Sequence, residues 1–186
     1  MTLQKAGTEV AYTVTYLEME TRPTFGYPHL PVASTAALLK AEDPPLWYFF
    51  SLYDAVGRDY AWEDLHTFPE EEVAAQLERS ILFTLTEKGW PHGFFLLEPM
   101  EEGSVDLAYF GLVPEAVGSG LGRWLLQTAI LTAWDIEGTK RVTVNTCTLD
   151  HPRALALYQK NGFHPVRREE KTRTLARDRD LTRIPS

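Results

Sequence analysis

The sequence predicts one mixed α/β (α+β) domain over residues 1–186, and three observations carry that reading. Three strand-like runs between Ile81 and Val113 are joined by connectors so short that they fit an antiparallel meander. Two segments of helical period precede them. A glycine cluster at 118–122 follows them and opens a helix–strand–helix–strand alternation. Hydrophobic residues make up 44% of the chain, enough to build a packed core.

Val10 to Glu20 alternates and is rich in Val, Thr and Tyr, the composition of a strand; the prolines and glycine of Arg22 to Pro31 make a loop. Leu46, Phe49, Phe50, Tyr53 and Val56 recur at helical spacing after Pro44-Pro45, and a second helix starts near Pro69 and runs to about Glu78. The strands of the meander are Ile81–Thr86, Gly93–Leu97 and Val105–Val113. Leu121, Leu125, Thr128, Ala129 and Thr132 mark a helix that ends near Gly138. Arg141–Thr146 is a strand, Pro152–Lys160 a helix stopped by Asn161-Gly162, and a last strand begins at Phe163. The tail from Arg167 alternates heavily in charge and is expected to fray after about Leu175.

Composition excludes several classes. No stretch approaches the ~20 apolar residues of a membrane span, and Met1 to Lys5 do not begin a secretory signal. A single cysteine, Cys147, excludes an internal disulfide and a cysteine-based zinc site, so a cytoplasmic setting without a metal is expected. With 18 Lys and Arg against 26 Asp and Glu, the net charge of −8 argues against a nucleic-acid partner and suits a cationic or neutral one.

Gly118-Ser119-Gly120-Leu121-Gly122-Arg123 stands between a strand and a helix. Its glycines let backbone approach a ligand, the helix behind it offers unpaired N–H groups, and Arg123 adds charge, which together suit a pyrophosphate. A P-loop would continue with Lys and then Ser or Thr, but Arg123-Trp124 follows; a Rossmann fingerprint would need glycine where Arg123 sits. A plain flexible turn with a helix cap is the structural alternative.

These residues resemble the GNAT superfamily of N-acetyltransferases, whose central motif is Arg or Gln, two variable residues, Gly, a variable residue, then Gly or Ala. Gly120 and Gly122 match its glycines, and Val117 departs from its Arg or Gln. Ala108 to Glu115 resembles the strand that leads into the family's loop, and Ala154-Leu155-Ala156-Leu157-Tyr158-Gln159-Lys160-Asn161-Gly162-Phe163 its closing helix. The likeness covers Val105 to Val166 and points to one bacterial subgroup of unnamed substrate. It implies a GNAT-like fold with a central mixed, mostly antiparallel twisted sheet flanked by helices. It also implies transfer of an acetyl group from acetyl-CoA directly to a primary amine, the acceptor being an unidentified small molecule or a peptide.

The resemblance further implies roles. Gly118, Ser119, Gly120, Leu121, Gly122 and Arg123 would cradle the coenzyme A pyrophosphate, and the backbone of Phe110, Gly111, Leu112 and Val113 would face the pantetheine arm and thioester. Tyr158 occupies the family's general-acid position; a core tyrosine packed on Leu157 and Phe163 is the plainer reading. Asp106 is the best base candidate, provided burial raises its pKa or water relays the proton; a solvated strand residue is the alternative. Glu98, His92 and the cluster Asp59, Glu63, Asp64 are weaker ones. His151 stands where the family often has a coenzyme-bonding Asn, although capping of the next helix is the default reading and coenzyme contact or acid–base work the sharper one. Trp47, Tyr60 and Trp62 fall in the segment that covers the acceptor side, where aromatics beside carboxylates could hold a cation. The sequence is compatible with a homodimer. A non-catalytic acyl-CoA-binding module, motivated by Val117, is the alternative to an enzyme.

Overall fold

Lys88 and Gly89 take φ of 54° and 86° and close a tight hairpin between β4 (Ile81–Glu87) and β5 (Trp90–Pro99). The structure, a computed structural model, describes residues 3–184; Met1 and Thr2, the first of the residues read above for a secretory signal, lie outside them. β6 (Ser104–Leu112) pairs antiparallel with β5 and completes the meander. A short edge strand, β3 (Ala37–Lys40), adds antiparallel to β4.

On its other side β6 meets β7 (Arg141–Cys147), the parallel neighbour in an otherwise antiparallel sheet. That pairing needs a crossover, which α3 (Leu121–Asp135) supplies. The N-terminal strand β2 (Glu9–Met19) inserts between β7 and the long β8 (His164–Thr174), antiparallel to both, so the order is β3-β4-β5-β6-β7-β2-β8. A separate two-stranded ribbon joins β1 (Leu3–Gln4) to β9 (Arg179–Asp180).

Helices cover both faces, and strand alternation assigns the side chains. Phe95 and Leu97 of β5 pack with Val105 and Leu107 against Leu125, Ala129 and Ile130 of α3 and Tyr158 of α4 (Ala154–Lys160). Phe94 and Leu96 face the other way, onto Phe49, Leu52, Tyr53 and Val56 of α1 (Leu46–Gly57) and Val73 and Leu77 of α2 (Glu70–Glu78). Among the described residues no helix is long and apolar enough to cross a membrane.

The expected fraying after Leu175 does not occur. Leu175 is 1% exposed, and β9 pairs with β1. The charges that make the tail look solvated are arginines engaged with residues 59–64.

Candidate active site

β6 and β7 pair only from Ser104–Arg141 to Asp106–Thr143, and beyond that point β6 has no strand on this side. Its pairing with β5 also slips here: Leu107 lies opposite Leu97 but Tyr109 opposite Leu96, leaving Ala108 as a bulge. Val113 donates its N–H to the His92 carbonyl at 2.9 Å, and successive amides alternate sides along a strand. Gly111 therefore also faces β5, whereas the N–H groups of Phe110 and Leu112 face the gap beside β7.

Two expectations change. The Val113 carbonyl accepts from Ala116 N–H, so with both backbone groups engaged Val113 offers nothing to a ligand. Gly111 does not create the irregularity, which sits at Ala108; it is glycine because a Cβ there would overlap Val56 Cγ1 of α1.

The loop after β6 runs through a 3₁₀ turn at Pro114–Ala116 to Gly118 and Gly120, with φ of 89° and 83°. These left-handed conformations favour glycine, and a Cβ at Gly118 would meet nothing within 4 Å, so the loop is open. Ser119 Oγ donates to Ala116 O at 2.7 Å and accepts a long bond, 3.4 Å, from Leu121 N–H. No side chain caps α3, whose first turn has no acidic residue, which leaves the Gly120, Gly122 and Arg123 amides aimed outward. Arg123 is exposed, and the Leu121 side chain is buried in the core.

Tyr158 is 6% exposed, its ring set edge-on to Phe110 of β6 and Phe163 at centroid distances of 6.1 and 5.9 Å. Burial, then the charges of Asp150 and Asp106, push its phenol pKa well above the usual value. Asp106 faces the α1/α2 side opposite Glu98, and burial raises its carboxyl pKa against the lowering effect of a 2.6 Å bond from Thr143 Oγ1. The weaker base candidates are committed elsewhere. Glu98 accepts from Gln76 Nε2 and Arg79 Nε at 2.7 Å, and His92 is buried at the far hairpin against Trp90. Asp64 pairs with Arg173 at the end of β8, and Glu63 and Asp59 pair with Arg177 and Arg183 of the C-terminal arm.

Trp62 spans the gap on the α1/α2 face. Its ring contacts Tyr53, Tyr109 and Phe94 at 5.4, 5.5 and 6.4 Å, and its Nε1 donates to Asp150 Oδ1 at 3.1 Å. Asp150 Oδ2 accepts from Thr146 Oγ1 and Cys147 N–H, at 2.7 and 2.8 Å, so this carboxylate organises the turn after β7. Cys147, His151 and Asp150 form no triad: burial raises the thiol to about 11, and His151 Nδ1 accepts the Arg153 N–H at 3.1 Å. That bond closes a turn just before α4, whose N-terminus no side chain caps, so the capping expected of His151 is not formed and its Nε2 is left over. Tyr60 is 8% exposed and its ring lies 6.1 Å from that of His151.

A family pattern for acetyltransferases, "Acetyltransferase (GNAT) family", matches residues 46–163. The chain belongs to the GNAT acetyltransferase family. Over 65 residues it is 38% identical to the mycothiol acetyltransferase of Jonesia denitrificans, covering 35% of this chain and 20% of that one. A GCN5-related N-acetyltransferase from Kribbella flavida superposes with a TM-score of 0.58 at 16% identity, covering 86% of this chain and 56% of that one. A GNAT family acetyltransferase from Elizabethkingia anophelis, solved with acetyl-CoA bound, gives 0.53 at 18% identity over 71% and 78% of the two chains. This GNAT chain thus spans about a fifth of the curated relative it matches, and 56% of the Kribbella chain.

Three features fit a coenzyme A in this GNAT chain: the uncapped start of α3, the room around Gly118, and the free edge of β6. The sites predicted from sequence do not all converge. Trp47 is 71% exposed at the first turn of α1, about 15 Å of helix rise from Gly57, against which Trp62 packs. It lines a separate groove with Phe50, Asp54, His66 and Phe68. Tyr53, Tyr109 and Asp150 escaped sequence reasoning as site residues. Tyr53 has core spacing, Tyr109 sits in a strand, and Asp150 reads as a turn residue.

Proposed function

We propose that this chain is an acetyl-CoA-dependent N-acetyltransferase that passes an acetyl group directly to a primary amine of a small molecule or peptide. The observation that carries the reading is the parting of β6 from β7 after Asp106, with the open start of α3 at the end of the same strand. Acetyl-CoA, when bound, supplies the acetyl group as an activated thioester.

The chain's own residues would do the rest. The amides of Gly120, Gly122 and Arg123, with the Arg123 guanidinium, hold the pyrophosphate. The Phe110 and Leu112 N–H groups align the arm and draw charge onto the thioester oxygen. Tyr158 Oη, held protonated by burial, gives a proton to the departing sulfur. An amine of ordinary pKa near ~10.4 must lose one, and Asp106, made more basic by burial, accepts it directly or through water. Trp62 and Tyr60 bound the acceptor side, and the Nε2 of His151 is left to bond the coenzyme. A net charge of −8 favours cationic acceptors and, with a single half-buried cysteine, fits a cytoplasmic setting.

Thiol release from acetyl-CoA across a panel of small amines and peptides tests this. Release that depends on an amine supports transfer; binding without release from any amine would leave a non-catalytic acyl-CoA-binding module.

A further inference from the structure

The end of β8 and the arm that follows it grip the segment that carries Trp62. Arg173 donates through Nη1 to the Ala61 carbonyl at 3.0 Å and pairs through Nη2 with Asp64. The Glu63 carboxylate, in a residue only 6% exposed, accepts from Ala176 N–H at 3.0 Å and from Arg177 Nε at 3.2 Å. Arg177 Nη2 reaches the Trp62 carbonyl at 3.0 Å, and Arg179 bridges the Asp59 and Leu149 carbonyls at 3.3 and 2.9 Å.

Residues 58–63 form neither helix nor strand, so these bonds replace the regular ladder that would otherwise hold the backbone. A buried carboxylate requires a partner, and Glu63 finds its own more than 110 residues away. Arg177 alone touches both the Glu63 side chain and the Trp62 backbone. The indole of Trp62 is the one assigned above to the acceptor side, and among the described residues no hydrogen bond links the arm to the amides of Gly120, Gly122 or Arg123.

From this geometry we propose that Arg177, paired with Glu63, is a positioning residue that fixes Trp62 over the acceptor side. The C-terminal arm thereby sets how acceptors, and not the coenzyme, are held. The inference rests on the acetyltransferase reading for its consequence, but not for its geometry.

The test uses the full chain with Arg177→Ala, and with the isosteric Glu63→Gln in case the first variant fails to fold. Hydrogen exchange in residues 59–64 is expected to quicken about tenfold, the loss of one charge-assisted bond, while β4, β5 and α3 keep their protection. The acceptor KM should rise about tenfold, with kcat and the acetyl-CoA Kd held within about twofold. Unchanged exchange at 59–64, a uniform loosening of the whole chain, or an equal weakening of acetyl-CoA would overturn the proposal. Localised exchange in a protein that acetylates no amine would uphold the positioning role and sink the catalytic reading instead.

Discussion

Trp62 Nε1 donates to Asp150 Oδ1 over 3.1 Å, and this bond ties the aromatic wall on β6 to the turn that follows β7. Asp150 also holds Thr146 and Cys147, so one carboxylate fixes both the Trp62 indole and the approach to α4. Asp150→Ala should cost about 2–3 kcal/mol in urea unfolding, because it strands three donors at once. Asp150→Asn, which keeps one acceptor oxygen, should cost about half as much.

Asp106 offers a pH test. Burial raises its folded-state pKa above the ordinary 3.8, so the folded chain holds this proton more tightly than the unfolded one. Between those two values stability falls as pH rises, and above the raised value the burden is fully present. Asp106→Asn should therefore melt higher than the parent at pH 7, with the advantage shrinking as pH approaches 3.8 and below. If Asp106 is the base, kcat should fall about 10²-fold in the same variant. Melting curves against pH, paired with kinetics, separate the two effects.

Tyr158→Phe should lower kcat by ~10²–10⁴ while leaving the melting temperature nearly unchanged. The ring packs on Phe110 and Phe163, and among the described residues the hydroxyl has no hydrogen-bond partner to lose. Because burial holds the phenol protonated, the parent should show no alkaline loss of rate from this group up to about pH 10, the ordinary phenol value.

Much of this was legible in the sequence because it is local. Alternation in β2, the Lys88-Gly89 turn and the glycines before α3 each encode their own backbone. What escaped depends on distant partners. β3 is four residues on a sheet edge, mostly exposed and too short to show a period. The arm beyond Leu175 reads as solvated charge until the buried Glu63 and the carbonyls of residues 59–62 stand opposite its arginines. Val113 matched the family's donor segment by position, yet its amide had already been claimed by His92 across the hairpin.

Gly111→Ala tests the close approach of α1 to β6. The new methyl would overlap Val56 Cγ1, so a loss of about 1–3 kcal/mol is expected. Adding Val56→Ala should recover part of that loss, because it removes the atom in the way; a double-mutant cycle by denaturant unfolding measures the coupling. Simple additivity would mean that the two side chains do not meet.

Calorimetric titration of the full chain with acetyl-CoA, with NADH as the control ligand, tests the central claim most directly. Saturable binding of acetyl-CoA with a Kd well below about 1 mM and none of NADH is the predicted result, since the α3 loop lacks the nicotinamide spacing. No binding of acetyl-CoA, or equal binding of both ligands, would contradict the account.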